Sequence, residues 1–545
     1  MCDFLPSIIM WVTPFNRSPK AGSSSSTRPS VNSGSIRALG HESRPPRAAA
    51  LLGLMVFALA VHLPARMGDL YGEQDVARLV NSALLWTRAG LRTEALSQYQ
   101  YYTSPAYIWL ITLLLPGTRG ALAPAAAALN TINLIGAVII TVPLYLLFRR
   151  IAGGHAALIG TLFLSLAPAF WQGGLYGFPT MPAALFMVVA LWLFDRWLVG
   201  DGGPRAAAPT LVACGLCLTV AILLKADIYL SAVALWGLLL YRRRWSWRNA
   251  ALLALVGAAP VAILYGVATA LLQESPDAIV YAGTWSRTFP ILPGTTLTTA
   301  RALQVAKSFG IFSLPVFALA LLLLLRAREY ALAALLLTWA LLPVAFWIGR
   351  YGDVARHYFQ SAIPVALGIG LAFARLRIPE TWRYVALAML ATANYWAFAP
   401  SASTAVTSGN LIRSGQLAAR RVAVYHRLAR AYAEQDVPRT AFLGSFTTPF
   451  AENQVLSLAD SVTTVRRVMR FGMSAKEIGY FRNGRRFLSV IVELPSPLPP
   501  SRETAAVAAA YHDAGYAVYS MQLYGDMGRR HLSHRDVRLS QLQLP

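Results

Sequence analysis

The apolar residues of this chain come in separate runs, each approaching the roughly 20 residues a helix needs to cross a hydrocarbon core. They predict spanning helices at 48–64, 122–148, 155–171, 179–198, 207–225, 227–241, 249–271, 308–326, 329–348, 358–376 and 383–399, a polytopic α-helical bundle of about eleven spans. One further run, Ala106–Leu115, is opened by Pro105 and closed by Pro116. Its roughly ten residues are too few to cross, which predicts an interfacial or re-entrant helix, with a short tilted span as the alternative. Residues 1–47 hold the run Ser23 to Ser26 among Arg, Pro and Gly and read as a disordered basic tail. Beyond the last span the pattern changes. An amphipathic helix at Leu411–Glu434 precedes strand-like runs at Thr440–Gly444, Phe487–Glu493 and Tyr516–Leu523, with a second helix at Arg502–Ala514. Residues 400–545 thus read as a small α/β domain following a transmembrane domain at 48–399.

Composition agrees: 56% of the 545 residues are hydrophobic and 13% charged, with a mean hydropathy of +0.49, whereas a soluble domain carries roughly 25% charge. The formal charge of +24 would suggest nucleic acid in a soluble protein, but the arginines lie beside the hydrophobic runs, where membrane orientation requires them. Nucleic acid is therefore not an expected partner. Cys214 and Cys217 form a C-x-x-C inside an apolar helix and read as small buried residues rather than redox or metal ligands.

The same charges set an orientation. With the N-terminus inside and the run at 106–115 not counted as a span, Arg149 and Arg150, Arg196 and Arg205, Arg242 to Arg244 with Arg248, Arg326 and Arg328, and Arg375 with Arg377 and Arg383 all face the cytoplasm. The short external loops keep only Lys225, Arg350 and Arg356. Arg66–Pro105, Gln273–Lys307 and everything after about Pro400 then lie outside, as expected of a multi-pass inner-membrane protein with a periplasmic C-terminal domain.

Pumps and transporters place ionisable groups at mid-span. Here the middles are apolar, and polar capacity gathers at the outer ends and loops, among them Glu73, Asp75, Arg78, Tyr99 to Tyr102, Lys225, Asp227, Arg356 and His357. Such a site suits an aqueous acceptor and a donor whose tail stays in lipid. Glu73 and Asp75 stand two apart at a loop-to-helix junction, where both carboxylates can converge on one acceptor or divalent cation, or where Asp75 can cap the helix that follows.

Four stretches in order carry a resemblance: the acidic pair straight after the first span, Thr103-Ser104-Pro105-Ala106-Tyr107, Leu223-Leu224-Lys225-Ala226-Asp227, and Arg356-His357-Tyr358-Phe359 with Pro364. Together they resemble the GT-C superfamily of polyprenyl-phosphate-sugar-dependent glycosyltransferases, in particular protein O-mannosyltransferases and aminoarabinose transferases. Many of those relatives show adjacent Asp-Glu or D-x-D where this chain has E-x-D, and residues 400–545 fall outside the resemblance. The resemblance implies an inverting transfer from a polyprenyl-phosphate-linked sugar to an external glycan, lipid or protein acceptor. Asp75 is then the candidate base, with Glu73 positioning the acceptor or a cation. Arg356, His357 and Lys225 are candidates for the leaving phosphate, and Arg78 and Tyr102 are possible additions. Each basic residue also has a plainer reading: helix anchoring for Arg356 and His357, a mutual ion pair for Lys225 and Asp227, and an acidic partner for Arg78. A transporter or flippase of lipid-linked sugars would share the apolar spans, but would predict internal repeats around a midplane site, which the sequence does not display.

Overall fold

A computed structural model of the chain describes residues 48–66, 74–87, 104–118, 122–174, 177–200, 203–274, 299–348, 355–376 and 378–398, and five strands beyond them. Every run expected to span is helical. In order the helices are α1 (Ala48–Arg66), α2 (Gln74–Thr87), α3 (Pro105–Thr118), α4 (Leu122–Ile139), α5 (Thr141–Ala152), α6 (Gly154–Leu166), α7 (Pro168–Gly174), α8 (Thr180–Val199) and α9 (Gly203–Leu224). A 3₁₀ segment at Ala226–Ala232 leads into α10 (Val233–Tyr241), followed by α11 (Trp247–Glu274), α12 (Thr299–Phe309), α13 (Ser313–Arg326) and α14 (Tyr330–Ile348). A second 3₁₀ segment, Ala355–Tyr358, opens α15 (Phe359–Arg375), and α16 (Glu380–Phe398) follows.

Among the described residues, five helical segments are long and apolar enough to cross a membrane: Pro124–Ala152, Thr180–Val199, Ala207–Leu224, Trp247–Val267 and Tyr330–Ile348. The other apolar helices are shorter, and local chemistry accounts for one of the interruptions. Pro168 disfavours helical backbone at the residue before it, so Ala167 turns extended (ψ 136°) and separates α6 from α7. Lys225 is extended as well (φ −157°), ending α9 and starting the first 3₁₀ segment. The run at 106–115 is a helix that continues through Pro116 and packs against α2, α4 and α9.

The core centres on α15, in which every residue from Phe359 to Phe373 is buried. It packs against α6, α13 and α14. Closest approach occurs at glycines: a Cβ on Gly370 would lie 2.1 Å from the Ala156 carbonyl oxygen, and one on Gly160 would lie 2.9 Å from that of Ala366. Apolar side chains gain nothing by leaving lipid tails for one another, so membrane helices associate through such close backbone packing.

Polar bonds secure the ends where the arginines gather. Asp195 at the end of α8 is fully buried and receives Arg150 from α5 and Arg242 from just beyond α10 (Nε to Oδ1, 2.7 Å). Arg242 also donates to the Arg150 carbonyl (2.9 Å), and Tyr241 donates to that of Ile151 (3.0 Å). Arg375 of α15 grips Glu329, the residue before α14, through both carboxylate oxygens. The helices α10 and α13 finish in the same way. Beyond α10, Arg244 N–H bonds to Leu239 O and Arg243 N–H to Leu240 O; beyond α13, Glu329 N–H bonds to Leu324 O and Arg328 N–H to Leu325 O. Both are Schellman endings, and the left-handed residue, usually glycine, is Arg243 (φ 54°) in one and Arg328 (φ 60°) in the other. A left-handed non-glycine residue costs about 1 kcal/mol.

The strands are β1 (Thr440–Leu443), β2 (Val465–Val468), β3 (Ser489–Leu494), β4 (Ala517–Leu523) and β5 (Val537–Gln541). They form one sheet in the order β2-β1-β3-β4-β5, parallel except for β5 against β4. Three coincide with the strand-like runs of the sequence. β2 and β5 were not expected, since VRRV and VRLSQ are short and broken by charge or polarity. The expected helices at 411–434 and 502–514, and the tail at 1–47, lie outside the described residues.

The α6–α15 contact yields a test. Gly370→Ala should force two backbones apart and lower stability by about 1–3 kcal/mol, read as a fall in unfolding temperature in detergent. Gly215→Ala, whose added methyl would meet only Val256 at 3.8 Å, should leave it unchanged.

Candidate functional site

At the ends of the helices opposite the arginine cluster, both 3₁₀ segments pack against α14 and α15. The Lys225 ammonium forms an ion pair with Asp227 and lies 5.8 Å from the centroid of the Trp347 ring, a cation–π distance. Trp347, at the end of α14, stacks on His357 with centroids 4.1 Å apart and planes 25° from parallel. Lys225 and His357, more than a hundred residues apart in sequence, thus share one aromatic ring between them.

Gln360, in the first turn of α15, fixes this arrangement. Its amide donates to the Asp227 carbonyl (2.9 Å) and its oxygen accepts from the Ser231 hydroxyl (3.0 Å), so the first 3₁₀ segment is bound to the helix that follows His357. Tyr358 is fully buried with its ring edge-on to Phe309 of α12, 5.8 Å between centroids. The turn from α12 to α13 is held by Asn394 of α16, which accepts from the Phe312 N–H (3.0 Å) and donates to the Ser313 hydroxyl (2.6 Å). Gly310, left-handed at φ 89°, leaves room for that side chain: a Cβ there would sit 2.4 Å from Asn394 Cγ.

Of the expected phosphate-binding residues, Lys225 and His357 are therefore joined through Trp347, and Arg356 stands next to His357 in the second 3₁₀ segment. The plainer reading of Lys225 and Asp227 as an ion pair is realised in the same place. Asp75 is the second residue of α2, and Glu73 and Tyr102 lie outside the described residues. Helix α2 is anchored by fully buried Val76, Ala77 and Val80 and packs against α3 and α4; Arg78 is half-buried on it. The start of α3 is tied down by Tyr107, whose hydroxyl donates to the Gly177 carbonyl (2.6 Å). No three His, Cys, Asp or Glu side chains gather as a metal site among the described residues.

Sequence reasoning did not single out Trp347, Gln360, Ser231 or Asn394. Trp347 is one more aromatic at the end of an apolar run, whereas Gln360 and Asn394 carried a usable signal as amides within apolar helices. His62, also unanticipated, is buried in α1 against Phe170 (5.3 Å between rings), and Phe170 packs on Phe359 (5.3 Å). Cys214 is buried, its thiol 3.4 Å from the Ala190 carbonyl, and Cys217 is half-buried, in keeping with small packing residues.

No family model matches the sequence, and no curated protein does. Solved structures do match. The chain superimposes on the apo oligosaccharyltransferase of Archaeoglobus fulgidus with TM-score 0.53 and 14% identity, over 87% of this chain and 70% of that one. The same enzyme tethered to an acceptor peptide containing the NVT sequon gives TM-score 0.54 at 13% identity, over 87% and 69%. ArnT from Cupriavidus metallidurans bound to undecaprenyl phosphate gives TM-score 0.50 at 16% identity, over 88% and 93%. Apolar helices of spanning length and this likeness define a polytopic helical membrane protein. Its fold is the one that these solved structures share.

Proposed function

We propose that the chain is a membrane glycosyltransferase that transfers a sugar, with inversion, from a polyprenyl-phosphate-linked donor to a glycan, lipid or protein acceptor outside the cytoplasm. The observation that carries this reading is the Lys225–Trp347–His357 cluster beside Arg356, in a fold shared with proteins whose structures hold undecaprenyl phosphate or an acceptor peptide. An acceptor hydroxyl attacks the anomeric carbon while Asp75 takes its proton, and the bond from that carbon to the phosphate oxygen breaks. The leaving phosphate then lies against Arg356, His357 and Lys225, and Lys225 shares its charge between that phosphate and Asp227. Glu73 orients the acceptor, and Glu73 with Asp75 are the carboxylates available to a divalent cation. The eleven helical runs are the spans, with α3 interfacial and residues 400–545 outside.

Transfer of labelled sugar from a lipid-phosphate donor to acceptor by the purified protein is the primary test. Donor movement across the bilayer without transfer would instead identify a flippase. Asp75→Asn keeps the size and one acceptor oxygen of the side chain, so a purely capping residue would tolerate it at about 1 kcal/mol or less. A general base would not, and transfer is expected to fall roughly 10²- to 10⁴-fold with folding and donor binding intact. Glu73→Gln should be less damaging. The reverse ranking would exchange the two roles, and full activity in both would remove the first loop from the chemistry.

Arg356→Ala should raise KM for the lipid donor as well as lower kcat, because the phosphate is present in both ground and transition states. An unchanged donor KM in a folded variant would leave Arg356 as a helix anchor. Reporter fusions after Pro400 should read as external, since an odd number of spans carries the chain across. A cytoplasmic reading there would overturn the topology.

A further inference from the structure

The arginine-rich ends hold charge that the fold itself does not use. Asp195 is already occupied by Arg150 and Arg242, and Glu329 by Arg375. Arg243, Arg244 and Arg248, in and just after the loop from α10 to α11, are exposed and pair with no carboxylate among the described residues. Three tryptophans flank them. Trp236, Trp245 and Trp247 form a series with 6.3 Å between successive ring centroids, and Trp245 and Trp247 are 51% and 80% exposed. The loop is nonetheless structured: Ser246 accepts the Asn249 N–H (3.1 Å), and the Asn249 amide donates to the Arg244 carbonyl (2.8 Å).

We infer that this loop is a binding site for the headgroup of an acidic phospholipid, with Arg243, Arg244 and Arg248 holding the phosphate and Trp245 and Trp247 seated at the membrane interface. Guanidinium groups match phosphate oxygens in pairs, and an indole places an apolar body beside a polar edge, which suits the headgroup level. A free phosphate would satisfy the arginines but gives the exposed indoles nothing to cover them; a lipid serves both. The backbone supplies an independent indication. Arg243 occupies the left-handed helix-ending position where glycine is the easier residue, and Arg328 does the same after α13. The helix dipole favours a cation there, yet a cation in ordinary backbone one residue earlier would serve the dipole equally. The left-handed turn projects Arg243 beyond the helix, into the exposed loop.

The inference requires only that the chain spans a membrane and is independent of glycosyl transfer. The full-length protein is reconstituted in nanodiscs of mixed phosphatidylglycerol and phosphatidylcholine, and the lipids retained after extraction are counted by mass spectrometry. Phosphatidylglycerol should be enriched over its share of the input, and less so as salt is raised. Arg243→Gly relieves the left-handed strain, so the variant should unfold in neutral detergent at the wild-type temperature or above it, while enrichment drops about fivefold. Arg248→Gln should give a similar drop at unchanged stability. Equal retention of the two lipids by the wild type, or undiminished enrichment in both variants, would overturn the site. So would a dimer that Trp247→Ser dissociates without altering lipid retention, since the patch would then be covered by a second copy of the chain.

Discussion

Two helices meet with glycine on each at their point of closest contact, at the centre of the helical core. Gly370 and Gly160 bring the backbones of α15 and α6 close enough that a single methyl group would collide with a carbonyl oxygen. In a lipid solvent the gain from burying apolar side chains is small, and dispersion and close backbone approach supply the association instead. Because α15 is buried along almost its whole length, its rotation and depth are fixed by its neighbours. The second 3₁₀ segment, which carries Arg356 and His357, leads straight into it. The candidate site thus takes its geometry from a contact in the apolar core rather than from its own loops.

The two ends of the bundle use charge differently. At one end arginines are bonded to carboxylates or left facing outward, and the buried carboxylate of Asp195 draws α5, α8 and α10 together. At the other end, among the described residues, Lys225 and His357 lie against one aromatic ring, that of Trp347. Polar groups between the ends are used for packing: Asn133 donates to the Gly173 carbonyl (2.9 Å) and accepts the Met181 N–H (3.3 Å), stitching α4 to both sides of the α7–α8 connection.

The helices were legible because span length is set by bilayer thickness, and runs such as 179–198 and 329–348 meet it without ambiguity. Their interruptions were partly legible, Pro168 announcing the break after α6, whereas nothing in Leu224-Lys225-Ala226 announces the 3₁₀ segment that brings Lys225 to Trp347. Lys225, Arg356 and His357 could be singled out because the short loops at those helix ends carry few cations. Their joining could not, because it depends on Gln360 meeting residues 129 and 133 positions away in sequence. Likewise Gly160 and Gly370 are unremarked small residues until two helices cross at them. The strands β1, β3 and β4 showed as apolar runs, while β2 and β5 take their place from pairing rather than from pattern.

Asn394 has a mechanical consequence. It sits near the end of α16, the last described helix before the strands, and its amide grips the turn between α12 and α13. Helix α12 in turn packs on the second 3₁₀ segment through Phe309 and Tyr358. A pull or twist applied to the polypeptide just after Phe398 would therefore reach, through this amide and the packing of α16 on α12, the turn that bears His357.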